Sequence, residues 1–214
     1  IHPQKWPENY DYTDKNMVVI GSGATAATIV PAVADSAKHV TQLQRSPSYY
    51  YAMDNSNEEQ IILDLREIDV PEDTIYAVKR HMALAFNEEI SDKSANDPEG
   101  TKAELIELAK AELPEDFDID THLTPKYYPW EERLCLLPDG DMFKAISSGK
   151  ASIVTDEIDS LVEDGIVLKS GDHLAADVIV AATGIELCGL GNVTFSVDAE
   201  QVDVADTFTY HGMM

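Results

Sequence analysis

The run Met17-Val18-Val19-Ile20 leads directly into Gly21-Ser22-Gly23-Ala24-Thr25-Ala26, and this junction restricts the fold more than any other stretch of the chain. Bounded by Lys15 and Gly21, the short β-branched run reads as a buried parallel strand. The six residues after it fit the pattern G-x-G-x-x-A, placed where a strand hands over to a helix. Gly21 permits a tight turn, Gly23 lets a pyrophosphate approach the backbone, and Ala26 lets helix and strand pack closely. Free N–H groups and the positive dipole end at the helix start suit phosphate. Gly21, Ser22, Gly23, Ala24, Thr25 and Ala26 are therefore the candidate dinucleotide-binding loop, the plainer alternative being an ordinary glycine turn. The helix is expected from Ala24 to about Ala34, with a kink or local break at Pro31. His39-Val40-Thr41-Gln42-Leu43-Gln44 reads as the second strand. Strand, helix and strand within about 30 residues make a βαβ unit, which implies a right-handed crossover and a parallel sheet.

The end of the second strand bears on which dinucleotide is bound. An NAD site places an acid about 20 residues past the glycines to accept the ribose 2′-hydroxyl. Here the positions are Gln44, Arg45 and Ser46, with no acid among them, which points to NADPH and to Arg45 as the reader of its 2′-phosphate. Only four arginines exist, Arg45, Arg66, Arg80 and Arg133, so one at this place carries more information than in a basic protein. A surface arginine at a strand end is the alternative. A second marker, weak by itself, is the apolar strand Asp177–Ala181 closing on Ala182-Thr183-Gly184. There Gly184 allows positive φ and Thr183 offers a hydroxyl where chain segments cross.

The rest of the chain differs in character. Residues 54–120 show helical patterns at Glu58–Ile68, Glu72–Glu89 and Thr101–Leu113, and hold 20 of the 40 acidic residues against six lysines or arginines. They read as an inserted helical subdomain with an anionic outer face, the charge serving as a solvated surface rather than a site. A helix at Asp141–Ser148, a strand at Ala151–Thr155 and a hairpin of Ser160–Val162 with Ile166–Lys169 follow. The fold class is thus expected to be α/β: a Rossmann-like parallel sheet of the FAD/NAD(P)-binding type, with a small antiparallel hairpin element and an inserted helical subdomain.

With 214 residues, 44% of them hydrophobic, the chain can bury a core, and its formal net charge of −25 repels nucleic acid and anionic lipid. No apolar run approaches the ~18 residues of a spanning helix, and no signal peptide precedes the first strand. The expectation is a cytoplasmic protein without nucleic-acid or membrane partners. Cys135 and Cys188 are too few for a disulfide framework and too far apart for a metal knuckle, so no metal is expected. Starting at Ile1 and stopping at Met214, the chain reads as an excised domain of a longer protein.

Several segments together carry a resemblance. His2-Pro3-Gln4-Lys5-Trp6-Pro7, the Gly21–Ala26 loop, Gln44-Arg45-Ser46-Pro47, Tyr128-Pro129-Trp130-Glu131-Glu132-Arg133-Leu134-Cys135 and Ala182-Thr183-Gly184 resemble the Baeyer–Villiger branch of class B flavin monooxygenases. The similarity is nearest to the ethionamide-activating group. His2, Trp6 and Pro7 match the second half of that family's F-x-G-x-x-x-H-x-x-x-W-[P/D] fingerprint.

In such proteins an FAD domain is interrupted by an NADPH domain. The resemblance therefore implies a linker over 1–13, an NADPH-binding domain over 14–187 with its helical insert at about 54–120, and the start of the return to the FAD domain over 188–214. It implies NADPH and FAD as cofactors, the flavin held mainly by protein outside this chain, with O2 and a small ketone or sulfide as substrates and the FAD domain of the same polypeptide as partner. Arg45 and Ser46 align with the binders of the 2′-phosphate, Thr183 falls at the crossing beside the cofactor, and Arg133 aligns with the catalytic arginine over the flavin. A permanently charged guanidinium there stabilises developing negative charge during oxygen transfer. Some relatives carry a lysine just before that arginine; this chain has Glu132. For Arg133 the alternative is a structural salt bridge with Glu131 or an acid of the insert. His2 and Trp6 are expected to hold a linker, and Tyr128 and Trp130 to pack. Two other classes stay open, a two-dinucleotide flavoprotein reductase of the disulfide type and a non-enzymatic NADPH-binding module.

Overall fold

The computed structural model describes residues 1–54, 59–186, 191, 193–203 and 206–208. After a 3₁₀ turn at Pro3–Lys5, the chain forms β1 (Asn16–Ile20), α1 (Ala24–Ala34), β2 (His39–Gln44) and β3 (Tyr49–Met53). The helices α2 (Gln60–Glu67), α3 (Glu72–Asn96), α4 (Pro98–Ala111) and α5 (Ile119–His122) follow, then β4 (Leu134–Pro138) and α6 (Asp141–Ser147). The last elements before a change of body are β5 (Ala151–Thr155), β6 (Ile158–Val162), β7 (Gly165–Leu168), β8 (His173–Ala175) and β9 (Val178–Ala181). Residues 1–183 form one compact unit, and a second, smaller one begins at Gly184. Within the second, β10 (Phe195–Val197) and β11 (Glu200–Val202) make an antiparallel hairpin turned by Asp198 and Ala199, both at positive φ.

The main sheet is parallel throughout, in the order β5-β2-β1-β9. Met17, Val18 and Val19 are buried on both of its faces, as an apolar run between flanking layers must be. On one face α1 buries Ala26, Ala27, Val30, Val33 and Ala34, and α6 packs against α1. α1 runs through Pro31 without interruption, so no break occurs there; the packing of this small-residue face outweighs one missing N–H. On the other face Val18 and Leu43 meet Ile166 and Leu168 of β7. β6, β7 and β8 form an antiparallel sheet, so the expected hairpin gains a third strand.

The strands β3 and β4 were not foreseen either. β3 and β4 pair in parallel, Tyr49 beside Leu134 and Met53 beside Pro138, bracketing the helical stretch. α3 continues to Asn96, past the expected end at Glu89, and α4 packs against β3. Ala109 of α4 and Leu123 after α5 join the same core as β1 and α1, so the helices belong to the first compact unit. Glu58, the expected start of the first of these helices, and Cys188 lie outside the described residues.

Candidate functional site

β1 is flanked by β2, reached through α1, on one side and by β9, which returns from far along the chain, on the other. The crevice outside the carboxyl ends of such strands is where open α/β sheets take ligands. Gly21, Arg45 and Thr183 each follow one of these three ends.

At Gly21 the main chain has φ 133°, and an added Cβ would lie 2.4 Å from Ala182 O. Only glycine lets the loop after β1 pass that close to the end of β9. The loop is tied on both sides: the Gly21 N–H donates to Leu43 O at 2.8 Å and the Ala182 N–H to Ile20 O at 2.9 Å. Gly23 is the opposite case, since a Cβ there would meet nothing within 4 Å. It is the N-cap of α1 and offers no side chain to cap it. The N–H groups of Ala24, Thr25 and Ala26 precede the first intrahelical bond, from the Ala27 N–H to Gly23 O at 3.0 Å. An exposed, uncapped helix start beside an open glycine fits a pyrophosphate in both space and charge.

A buried polar ladder supports the loop from beneath. Gln42 and Gln44, on one face of β2, are 0% and 1% exposed. The Tyr50 hydroxyl lies 3.1 Å from Ser22 O, within donating distance, and receives a hydrogen bond from Gln42 Nε2 at 2.9 Å. Gln42 Nε2 also donates to Gln44 Oε1 at 2.9 Å. Gln44 Nε2 donates in turn to His122 O at 2.7 Å and Thr155 Oγ1 at 2.9 Å. Burial pushes the Tyr50 phenol well up and keeps it a hydroxyl. Ser48 Oγ donates to Ser22 Oγ at 3.0 Å, a second tie between β3 and the glycine loop. None of these partners was picked out from the sequence, although two glutamines on either side of Leu43 in a strand expected to be buried were a visible signal.

Arg45 and Ser46 are exposed immediately after β2, and Arg45 makes no ion pair or hydrogen bond among the described residues. Arg45 lines a cavity with Ile20, Leu43, Asp156, Glu157 and Ile158. Thr183 is exposed beside the Gly21 turn. The structure thus brings the glycine loop, Arg45, Ser46 and Thr183 to one sheet edge.

Arg133 is exposed just before β4, a strand of the two-stranded β3–β4 sheet rather than of the main one. Its carbonyl accepts the Tyr127 hydroxyl at 3.2 Å, while Tyr127 O accepts the Tyr49 hydroxyl at 2.6 Å. Burial raises Tyr49 to about 12. The Arg133 side chain forms no ion pair among the described residues, and Glu131 instead accepts the Tyr128 N–H at 2.7 Å. A structural salt bridge from Arg133 to Glu131 is therefore not made. β3, through Ser48 and Tyr50 on one side and Tyr49 on the other, links the Arg133 loop to the glycine loop. Trp130 has φ 70° and is 47% exposed, so it is not a core residue. Trp6 packs edge-on to Tyr12 and, with Pro3, lines a recess beside Ala24, Thr25 and Thr28 of α1. Cys135 is buried and its thiol is raised by burial. No group of three or more His, Cys, Asp or Glu suited to a metal occurs among the described residues.

No family model matches the chain. Over 215 residues and its whole length it is 44% identical to the FAD-containing monooxygenase EthA of Mycobacterium tuberculosis (strain ATCC 25618 / H37Rv). It is 42% identical, again over its whole length, to the probable FAD-binding monooxygenase AlmA of Acinetobacter baylyi. The chain spans 43% and 42% of the lengths of these curated relatives. Among solved structures, an oxidized steroid monooxygenase bound to NADP superposes with TM-score 0.63 at 22% identity, covering 86% of this chain and 41% of that one. OTEMO in complex with FAD and NADP superposes equally, with TM-score 0.63 at 20% identity over 86% of this chain and 42% of that one. At such identities the structures establish the fold. Along its whole length the chain is a homologue of the FAD-containing monooxygenases, matching a little over two fifths of such a protein.

Proposed function

We propose that this chain is the NADPH-binding part of an FAD-dependent monooxygenase that transfers one atom of O2 to a ketone, in a Baeyer–Villiger oxidation, or to a sulfide. The observation that carries this reading is the conjunction of an open, uncapped glycine loop at a sheet switch point with 44% identity along the entire chain to an FAD-containing monooxygenase. In this reading residues 1–13 are a linker, 14–187 the NADPH-binding domain and 188–214 the start of the return to the FAD domain.

The flavin, when bound, supplies the redox chemistry with O2. The chain's own residues bind and orient. The N–H groups of Ala24, Thr25 and Ala26 hold the pyrophosphate, and Gly23 leaves it room. Arg45, which makes no ion pair among the described residues, meets the 2′-phosphate with Ser46, and Thr183 donates its hydroxyl from the far side of the loop. Arg133 is the catalytic residue, since its permanent charge favours negative charge on the oxygen being transferred. A disulfide-exchanging reductase would need an accessible thiolate, which the buried Cys135 does not supply. No helix among the described residues is long and apolar enough to cross a membrane. We read the protein as cytoplasmic, with the FAD domain of the same polypeptide as its partner.

Calorimetric titration of NADPH and NADH into the intact protein tests the cofactor assignment. A charge-assisted bond from guanidinium to phosphate contributes about 1.5–3 kcal/mol, so Arg45→Ala should weaken NADPH roughly ten- to a hundredfold and leave NADH nearly unaffected. Equal losses for both would show that Arg45 supports the fold instead.

A further inference from the structure

Counting residues past the glycines finds no acid beside Arg45, yet the fold brings two there from elsewhere. β2 and β5 pair in parallel with Gln44 beside Thr155. The ladder continues one step, the Asp156 N–H donating to Gln44 O at 2.9 Å, so Asp156 stands next to Arg45 at the same sheet edge. Arg45, Asp156 and Glu157 line one cavity of about 350 Å³, with Ile20, Leu43 and Ile158 as its apolar surface. Neither carboxylate forms an ion pair with Arg45.

The two acids are held differently. One Asp156 oxygen accepts the Glu157 N–H at 2.6 Å and the other the Ser170 N–H at 3.1 Å. The Ser170 and Glu157 bonds also hold its carboxyl below the usual range, so the charge is fixed in place. The Glu157 side chain is exposed and makes no hydrogen bond or ion pair among the described residues, although its charge acts on Lys169.

We infer that Asp156 and Glu157 are specificity-determining residues that oppose Arg45 and narrow the discrimination between 2′-phosphorylated and 2′-hydroxyl dinucleotides. The inference rests on the reading of the Gly21–Ala26 edge as a dinucleotide site. A phosphate bound by Arg45 would share this cavity with two carboxylates and be repelled by them, in a setting exposed enough for salt to screen the repulsion. A ribose 2′-hydroxyl suffers no such repulsion and finds an acceptor in Glu157, the role usually filled by an acid after the second strand. The site therefore carries an arginine for the phosphate from β2 and carboxylates for the hydroxyl from β5.

The test is titration of NADP⁺ and NAD⁺ into the intact, flavin-loaded protein for wild type, Glu157→Gln, Glu157→Asp, Asp156→Asn and Arg45→Ala. Glu157→Gln and Asp156→Asn should each tighten NADP⁺ by about two- to fivefold, with NAD⁺ unchanged or weaker. Glu157→Asp, which keeps the charge, should retain the wild-type ratio, and the gains should shrink at high KCl. A structural disturbance would move both cofactors together and would not be rescued by aspartate. Unchanged NADP⁺ affinity in Glu157→Gln and Asp156→Asn, alongside a tenfold or greater loss in Arg45→Ala, would overturn this inference and leave the cofactor site standing. No change for either cofactor in Arg45→Ala would overturn the site reading and this inference with it.

Discussion

The carboxyl edge of the parallel sheet and the acidic helices α2–α4 stand on opposite physical terms. At the edge, Val19, Ala26 and Leu43 are at most 1% exposed, and main-chain bonds tie Gly21 to Leu43, Ala182 to Ile20 and Asp156 to Gln44. In α3, by contrast, only Ile75 and Ser94 of 25 residues are buried, and Tyr76, Leu84 and Phe86 face outward. The Ser94 hydroxyl is buried without a partner. The edge is fixed by burial before any ligand arrives, whereas the helices rest on few buried contacts, which places them at the low-stability end of the molecule. Preorganisation for an anion belongs to the first region, whereas residues 54–120, which contain these helices, hold 20 of the 40 acids against six of the 15 bases.

The two glycines of the loop break this comparison most sharply. Gly21→Ala forces a Cβ to 2.4 Å from a backbone carbonyl at a φ that L-residues rarely adopt, so a loss of more than about 3 kcal/mol of stability is expected. Gly23→Ala meets no protein atom, so melting should change little while NADPH binding weakens about tenfold or more. Thermal unfolding and cofactor titration of both variants separate the roles. Similar losses of stability would mean that the loop is not held open for a ligand.

Arg133→Ala sharpens the comparison from the β3–β4 side, which joins the two regions. Losing a preorganised charge worth about 3 kcal/mol should slow substrate oxygenation on the order of a hundredfold while NADPH consumption continues. Stopped-flow measurement of flavin reduction beside product analysis checks this, and unchanged product formation would leave Arg133 a plain surface residue.

The smallest expected effect lies in the helices. Twenty acids against six bases over residues 54–120 repel one another, and counterions screen that repulsion within about 10 Å at 0.1 M. Melting temperature should rise by a few degrees from low to high KCl, with hydrogen exchange slowing mainly in α2–α4. A flat profile would mean that the charges are spaced widely enough not to matter.

What the sequence disclosed follows from the range of the interactions involved. β1, α1 and β2 fell within a residue of expectation because a short buried run, two glycines and a small-residue helix face are local signals. β3 and β4 were missed because the pairing of Tyr49–Met53 with Leu134–Pro138 spans the whole helical stretch, and no local pattern announces a two-stranded parallel pair. Three consecutive tyrosines at 49–51 were the one available hint. For the same reason Arg45 was readable from its distance to the glycines, while Asp156 and Glu157, delivered by a strand more than a hundred residues on, were not. The ladder of Gln42, Gln44 and Tyr50 became visible only when β3 was seen to pass beneath the loop.

Hydrogen exchange of the intact protein with and without NADP⁺ reads the glycine loop itself, because the N–H groups of Ala24, Thr25 and Ala26 proposed to hold the pyrophosphate are exchanging amides. New protection is expected at residues 21–28, with smaller gains at 44–47 and 181–183, and none across α2–α4. Protection confined to α2–α4, with the amides of Ala24, Thr25 and Ala26 exchanging as before, would contradict a dinucleotide site at this loop.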